Sequence, residues 1–185
     1  MRLFIALNFP DSVRRDLWHA IAPLRESRFP VKWVRPDGIH VTLKFLGETG
    51  PEAEPGVRAG LARAARGIRS QALTLEGFGA FPSIAAPRVI WVGVIAEQGV
   101  ELLQHQVERE IAPLGFPTEA RAFHPHVTLA RAERESRARD FAGLDAVLGR
   151  VSFSQAVVVE TVDLMQSTLQ RGGAVYQVRH SERLA

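Results

Sequence analysis

Hydrophobic positions along the chain follow two rhythms, one of strands and one of helices. Arg2–Asn8 is an apolar run of strand length, and Pro10-Asp11 behind it reads as a helix start. Val13, Leu17, Ile21 and Leu24 then recur at intervals of three and four, one apolar face of a helix. Val31–Val34 and Ile39–Leu46 read as strands divided by the turn signal Arg35-Pro36-Asp37-Gly38. After the Gly50-Pro51 break, Val57, Leu61, Ala65 and Ile68 predict a second helix, with Arg58, Arg63 and Arg66 off its apolar stripe. Leu73–Phe78 and Val89–Val94 are strand-like. Val100, Leu103, Val107, Ile111 and Leu114 predict a third helix, and Val127–Ala130 another strand. The charged stretch Glu133–Asp140 leads to a short helix over Phe141–Leu148. Strand patterning returns over Val151–Leu164 and Val175–Val178, with Gly172-Gly173 as a hairpin turn. Helices and strands interleave without a linker or low-complexity segment, so the expected class is α+β with largely antiparallel sheets, in one domain over 1–185.

One short pattern occurs twice. Ile39-His40-Val41-Thr42-Leu43 and Pro125-His126-Val127-Thr128-Leu129 share His-Val-Thr-Leu at a separation of 86 residues, close to half of the 185-residue chain. Each copy opens a strand behind a proline-containing turn, and duplicated halves are the simplest account. Strand alternation puts His40 with Thr42 on one face and His126 with Thr128 on one face, while the valines and leucines point to the other. If the two strands face each other across a cleft, two imidazoles and two hydroxyls converge on a volume that suits a phosphate. Histidine titrates near neutrality, so one imidazole can serve as base and the other as acid in an in-line displacement at phosphorus. That scheme requires neither metal nor cofactor.

Composition narrows the chemistry further. There is no cysteine, which excludes thiolate metal sites, disulfides and cysteine nucleophiles. The apolar run after Met1 is too short for a signal peptide, and no stretch approaches a membrane span, so a cytoplasmic protein without a membrane partner is expected. The net charge is +3 and only Lys32 and Lys44 are lysines. An arginine bias follows from genome composition more readily than from a phosphate ligand, so charge alone does not select RNA.

The duplicated motif resembles that of the 2H phosphoesterase superfamily, and the chain resembles its bacterial RNA 2′,3′-cyclic phosphodiesterase group, also called 2′-5′ RNA ligases. The likeness extends to Trp33-Val34-Arg35-Pro36, Lys44-Phe45-Leu46-Gly47-Glu48 and Gly77-Phe78-Gly79-Ala80-Phe81-Pro82. Pro87–Gly93, His126–Arg131 and Leu164-Met165-Gln166-Ser167 carry it further. The resemblance implies two pseudo-symmetric lobes around a central cleft, one motif per lobe. It also implies hydrolysis of RNA 2′,3′-cyclic phosphate ends, or of a cyclic nucleotide, to a 2′-phosphomonoester by a monomer. A reversible 2′-5′ joining of RNA ends is associated with the same group. On this likeness His40 is the proton donor, His126 the proton acceptor, and Thr42, Thr128 and Arg131 hold the substrate phosphate. A non-catalytic RNA-end binder of the same fold is the alternative.

Strict alternation sets Arg131 opposite His126, so it reaches the cleft only if the strand bends, and it sets Lys44 on the His40 face as a possible phosphate contact. His124 is read as structural rather than a metal ligand, and His19, His105 and His180 are given no role. Trp33, Phe45 and Trp91 are possible platforms for a base, but large strand aromatics are read first as core.

Overall fold

In the computed structural model, which describes residues 1–185, fourteen principal elements follow the chain. They are β1 (Arg2–Asn8), α1 (Asp11–Ala20), α2 (Ala22–Glu26), β2 (Val31–Trp33), β3 (His40–Glu48), α3 (Glu54–Ala65), β4 (Gln71–Pro82) and β5 (Pro87–Ala96). Then come α4 (Gly99–Ile111), β6 (His126–Ala132), α5 (Leu144–Arg150), β7 (Ser154–Val159), β8 (Thr161–Gln170) and β9 (Gly173–Arg183). The stripe Val13–Leu24 is two helices, broken at Ile21 just ahead of Pro23, whose ring supplies no amide donor. All four of its apolar residues are buried nonetheless.

The strands form one antiparallel sheet in the order β7-β4-β5-β6-β3-β1-β8-β9, with β2 paired to the far end of β6. The two expected lobes are the two halves of this sheet, four strands each, meeting at β6 and β3. The halves are laced together by exchange. β4, which follows α3, joins β5 in the other half, and β8 crosses back to pair with β1. One apolar cluster of 37 buried residues draws on β1, β3, β5 and β6 and on all five helices. The helices therefore cover one face of the sheet, and the opposite face is left for chemistry.

Both motif strands carry a β-bulge at the same place. In β3, Thr42 pairs with Ala6 and Lys44 with the next residue back, Ile5, so Leu43 is the extra residue. In β6, Thr128 pairs with Trp91 and Ala130 with Ile90, so Leu129 is the extra residue. Two successive side chains therefore turn inward in each strand, Leu43 with Lys44 and Leu129 with Ala130, and alternation is reset beyond them. The expectation for Lys44 fails for this reason. Lys44 is 2% exposed, and its ammonium donates to Glu108 at 2.6 Å and to the Pro117 carbonyl at 2.7 Å. The same bulge brings Arg131, exposed, back to the face of His126.

Removing one member of a buried ion pair strands the other charge. Lys44→Ala should lower the unfolding free energy by roughly 3–5 kcal/mol, and Lys44→Met with Glu108→Leu should recover most of the loss. Urea unfolding of the two variants checks this; a stable Lys44→Ala protein would return the lysine to the open face.

Candidate active site

The two motifs meet where the halves of the sheet meet. Val41 pairs with Val127 across β3 and β6, and both are fully buried against the helices. Extending that antiparallel register by one residue sets His40 across from Thr128 and Thr42 across from His126, all on the uncovered face. The four side chains expected from the motifs thus lie around a pseudo-twofold axis through the valine pair. Neighbouring strands of one sheet, rather than strands facing across a gap, bring them together.

Each imidazole is aimed by its own strand. The Nδ1–H of His126 donates to the His124 carbonyl at 2.7 Å, which leaves Nε2 of the neutral ring as the free lone pair. Gly38, two residues before His40 as His124 is before His126, gives His40 the corresponding backbone hydrogen bond. Nε2 of His40 lies 3.0 Å from the Thr42 hydroxyl.

The surroundings of the two rings differ. His40 packs between Phe4 and Tyr176, with ring centroids 4.8 and 5.5 Å away. Phe4, Ala6 and Met165 form a small second core behind it, with Tyr176 packed against them. This enclosure lowers the His40 pKa to about 4, because a charged imidazole would lose its water there. The Gly38 hydrogen bond opposes the shift, and the nearby charges of Arg14, Arg131 and His126 add to it. His126 instead meets the edge of Phe81 at 5.1 Å, and Phe81 lies 5.3 Å from Trp91. Two glycines keep this side shallow. A Cβ on Gly79 would stand 2.3 Å from the Trp91 ring, and one on Gly93, across from His126, would stand 2.6 Å from the Glu76 carbonyl.

Several residues of this face escaped the sequence reading. Asn8 pairs with His40, accepts from Arg14 at 2.9 Å and donates to the buried Asp163 at 2.6 Å. A polar residue ending an apolar strand was the only hint of it. Tyr176 and Phe81 reach the site through strand pairings that local patterning does not encode. Of the aromatics considered, Trp91 lines the open face half-buried, and Phe45 follows the bulge onto that face at 58% exposure. Trp33 packs against the core. His124 is exposed, and no group of three or more histidine or carboxylate side chains is arranged as a metal-ligand set.

The family model described as the 2′-5′ RNA ligase superfamily matches residues 10–170. The chain belongs to that superfamily, the 2H phosphoesterases. An RNA 2′,3′-cyclic phosphodiesterase of Aeropyrum pernix is 36% identical over 172 residues, covering 89% of this chain and 95% of the relative. A protein of the same name from Escherichia coli is 33% identical over 141 residues, 73% of this chain and 74% of its own. Among solved structures, a Thermus thermophilus protein superposes with a TM-score of 0.82 at 32% identity, covering 100% of this chain and 98% of its own. E. coli LigT complexed with 3′-AMP gives 0.77 at 26% identity, covering 99% and 97%. Those likenesses cover both halves of the sheet.

The enclosure of His40 has a thermodynamic signature. The folded imidazole titrates below its unfolded counterpart, so between pH 6.5 and about 4 the unfolded chain binds a proton that the folded chain refuses. Stability conferred by the neutral ring is present above pH 6.5 and is lost as the pH falls through that window. Relative to His40→Gln, the wild-type protein should lose roughly 3 kcal/mol between pH 7.5 and pH 4. Urea unfolding at both pH values measures it; a wild-type-minus-variant difference that does not change with pH would contradict the enclosure.

Proposed function

We propose that the protein is an RNA 2′,3′-cyclic phosphodiesterase, a hydrolase that opens terminal cyclic phosphates to 2′-phosphomonoesters by metal-free acid–base catalysis. The observation that carries this reading is the register at Val41 and Val127, from which two imidazoles and two hydroxyls converge on one face. Relatives bearing that activity in their names, at up to 36% identity over most of the chain, support it.

The proposed step is one in-line displacement. His126 Nε2 takes a proton from water as the water oxygen bonds to phosphorus, the P–O3′ bond breaks, and His40 gives O3′ its proton. The P–O2′ bond survives, so the product is the 2′-phosphate. Thr42 and Thr128 donate hydrogen bonds to the non-bridging oxygens, and Arg131 balances their charge. His40 rests neutral, so its proton must come with the substrate. The negative charge of a cyclic phosphate beside it favours the charged ring and opposes the desolvation that lowers its pKa. An RNA 5′-hydroxyl in place of water would leave a 2′-5′ linkage by the same step. A protein that only binds RNA ends would need no second imidazole; both are present and oriented.

A short RNA ending in a 2′,3′-cyclic phosphate should be hydrolysed in excess EDTA. His40→Ala and His126→Ala should each lower kcat by roughly 10² to 10⁴, with smaller losses for Thr42→Ala and Thr128→Ala. Tight binding of the RNA end without turnover by the wild-type protein would favour the binding module instead. The two roles are separated by a substrate with sulfur at O3′, because a thiolate (thiol pKa about 8.5) leaves unprotonated far more readily than an alkoxide (parent near that of water, about 15.7). That substrate should restore much of the rate lost in His40→Ala and little of that lost in His126→Ala. Rescue of His126→Ala alone would reverse the roles.

A further inference from the structure

The uncovered face is not electrically uniform along its strands. Beyond Thr42, β3 carries Phe45 onto this face, and Glu48 at the end of the strand pairs with Arg2 of β1, so opposite charges face each other there. At the other end, beyond Thr128, β6 pairs with β2, and Lys32 stands directly across from Arg131. Both are exposed, and neither takes part in an ion pair. Like charges directly opposed on neighbouring strands are unfavourable, and an anion between them relieves that. The charge of Arg131 reaches His40 and Tyr176, so the pair adjoins the His40 side of the site. Arg35, also exposed, continues the basic edge beside the β8–β9 turn at Gly172.

We propose that Lys32, together with Arg131, forms a subsite for the phosphate on the 5′ side of the terminal ribose, which makes oligoribonucleotides rather than cyclic mononucleotides the preferred substrate. This rests on the reaction proposed above. There O3′ leaves toward His40, so the terminal ribose lies at the His40 end of the site, and water attacks from the more open His126 side. A cyclic phosphate occupies the 3′ terminus of a strand, so the rest of the RNA departs through the 5′ oxygen of that ribose. At this end Arg131 and, directly across from it, Lys32 stand beyond the motif on the β6 side, while Arg14 lies on the β1 side of His40, held by Asn8. The opposite end offers an apolar ring and opposed charges of both signs, which do not attract a polyanion. Lys32 supplies a compact charge for a phosphate oxygen and no base-specific contact, so the preference is for chain length and not for sequence.

The test compares adenosine 2′,3′-cyclic phosphate with the dinucleotide ApA ending in a 2′,3′-cyclic phosphate, using wild-type protein, Lys32→Ala, Lys32→Glu and, as a charge control on the helix-covered face, Arg66→Glu. The wild-type enzyme should have the higher kcat/KM for the dinucleotide. Lys32→Ala should lower that value about two- to fivefold, the worth of one exposed ion pair, and Lys32→Glu should lower it further. Lys32→Ala should not change kcat/KM for the mononucleotide, and Arg66→Glu should change neither substrate. The dinucleotide's KM should also lose salt dependence in Lys32→Ala, by a slope of about 0.7 for one phosphate on a single strand. Equal effects of Lys32→Ala on both substrates, or none on either, would overturn the subsite while leaving the phosphodiesterase intact. Failure of the wild-type protein to hydrolyse either substrate would overturn the reaction and the subsite with it.

Discussion

The antiparallel pairing of Val41 with Val127 is the contact on which the site depends. It is the only registered pair between the two motif strands, and it lies where one half of the sheet passes into the other. Both valines are fully buried, so slipping the register by one residue would carry them to the open face and drive both histidines into the core. The hydrophobic effect thereby fixes the relative placement of four polar side chains on the face opposite the main core. The crossed connections of β4 and β8 reinforce it, since each half of the sheet contains a strand contributed by the other half of the chain.

Around that axis the protein is symmetric in its chemistry and asymmetric in its environment. Equivalent backbone carbonyls, of Gly38 and His124, steer the two rings, but one ring lies against a small apolar cluster and the other beside a glycine-cleared surface. Desolvation favours the neutral form of His40 in the free protein, so His40 serves as the acid only once a bound phosphate supplies the negative charge that offsets it. The same asymmetry leaves a single cationic end to the face, toward Lys32 and Arg131.

Much of this was legible in the chain. The repeated His-Val-Thr-Leu named the four motif residues, and the apolar stripes placed the helices that bury Val13, Leu17, Val57, Leu61, Leu103 and Val107. The bulges were not legible, because nothing local distinguishes Leu43 or Leu129 from an ordinary inward leucine. Counting by twos past them therefore misplaced Lys44, and it left Arg131 dependent on a bend that the second bulge supplies. The aromatic walls at His40 and His126 depend on pairings between distant segments, β1 with β3 and β8, and β5 with β6. Such pairings belong to topology rather than to local pattern.

The central claim is that both imidazoles engage one phosphate group and that its charge protonates the enclosed one. Nitrogen-15 NMR of ring-labelled protein, titrated with adenosine 2′-phosphate, tests it most directly. The account predicts that the His40 and His126 Nε2 signals move together with a single Kd, and that the His40 pKa rises from about 4 when the anion is bound. A His126 signal that responds alone, with His40 still neutral and unmoved at saturation, would contradict it.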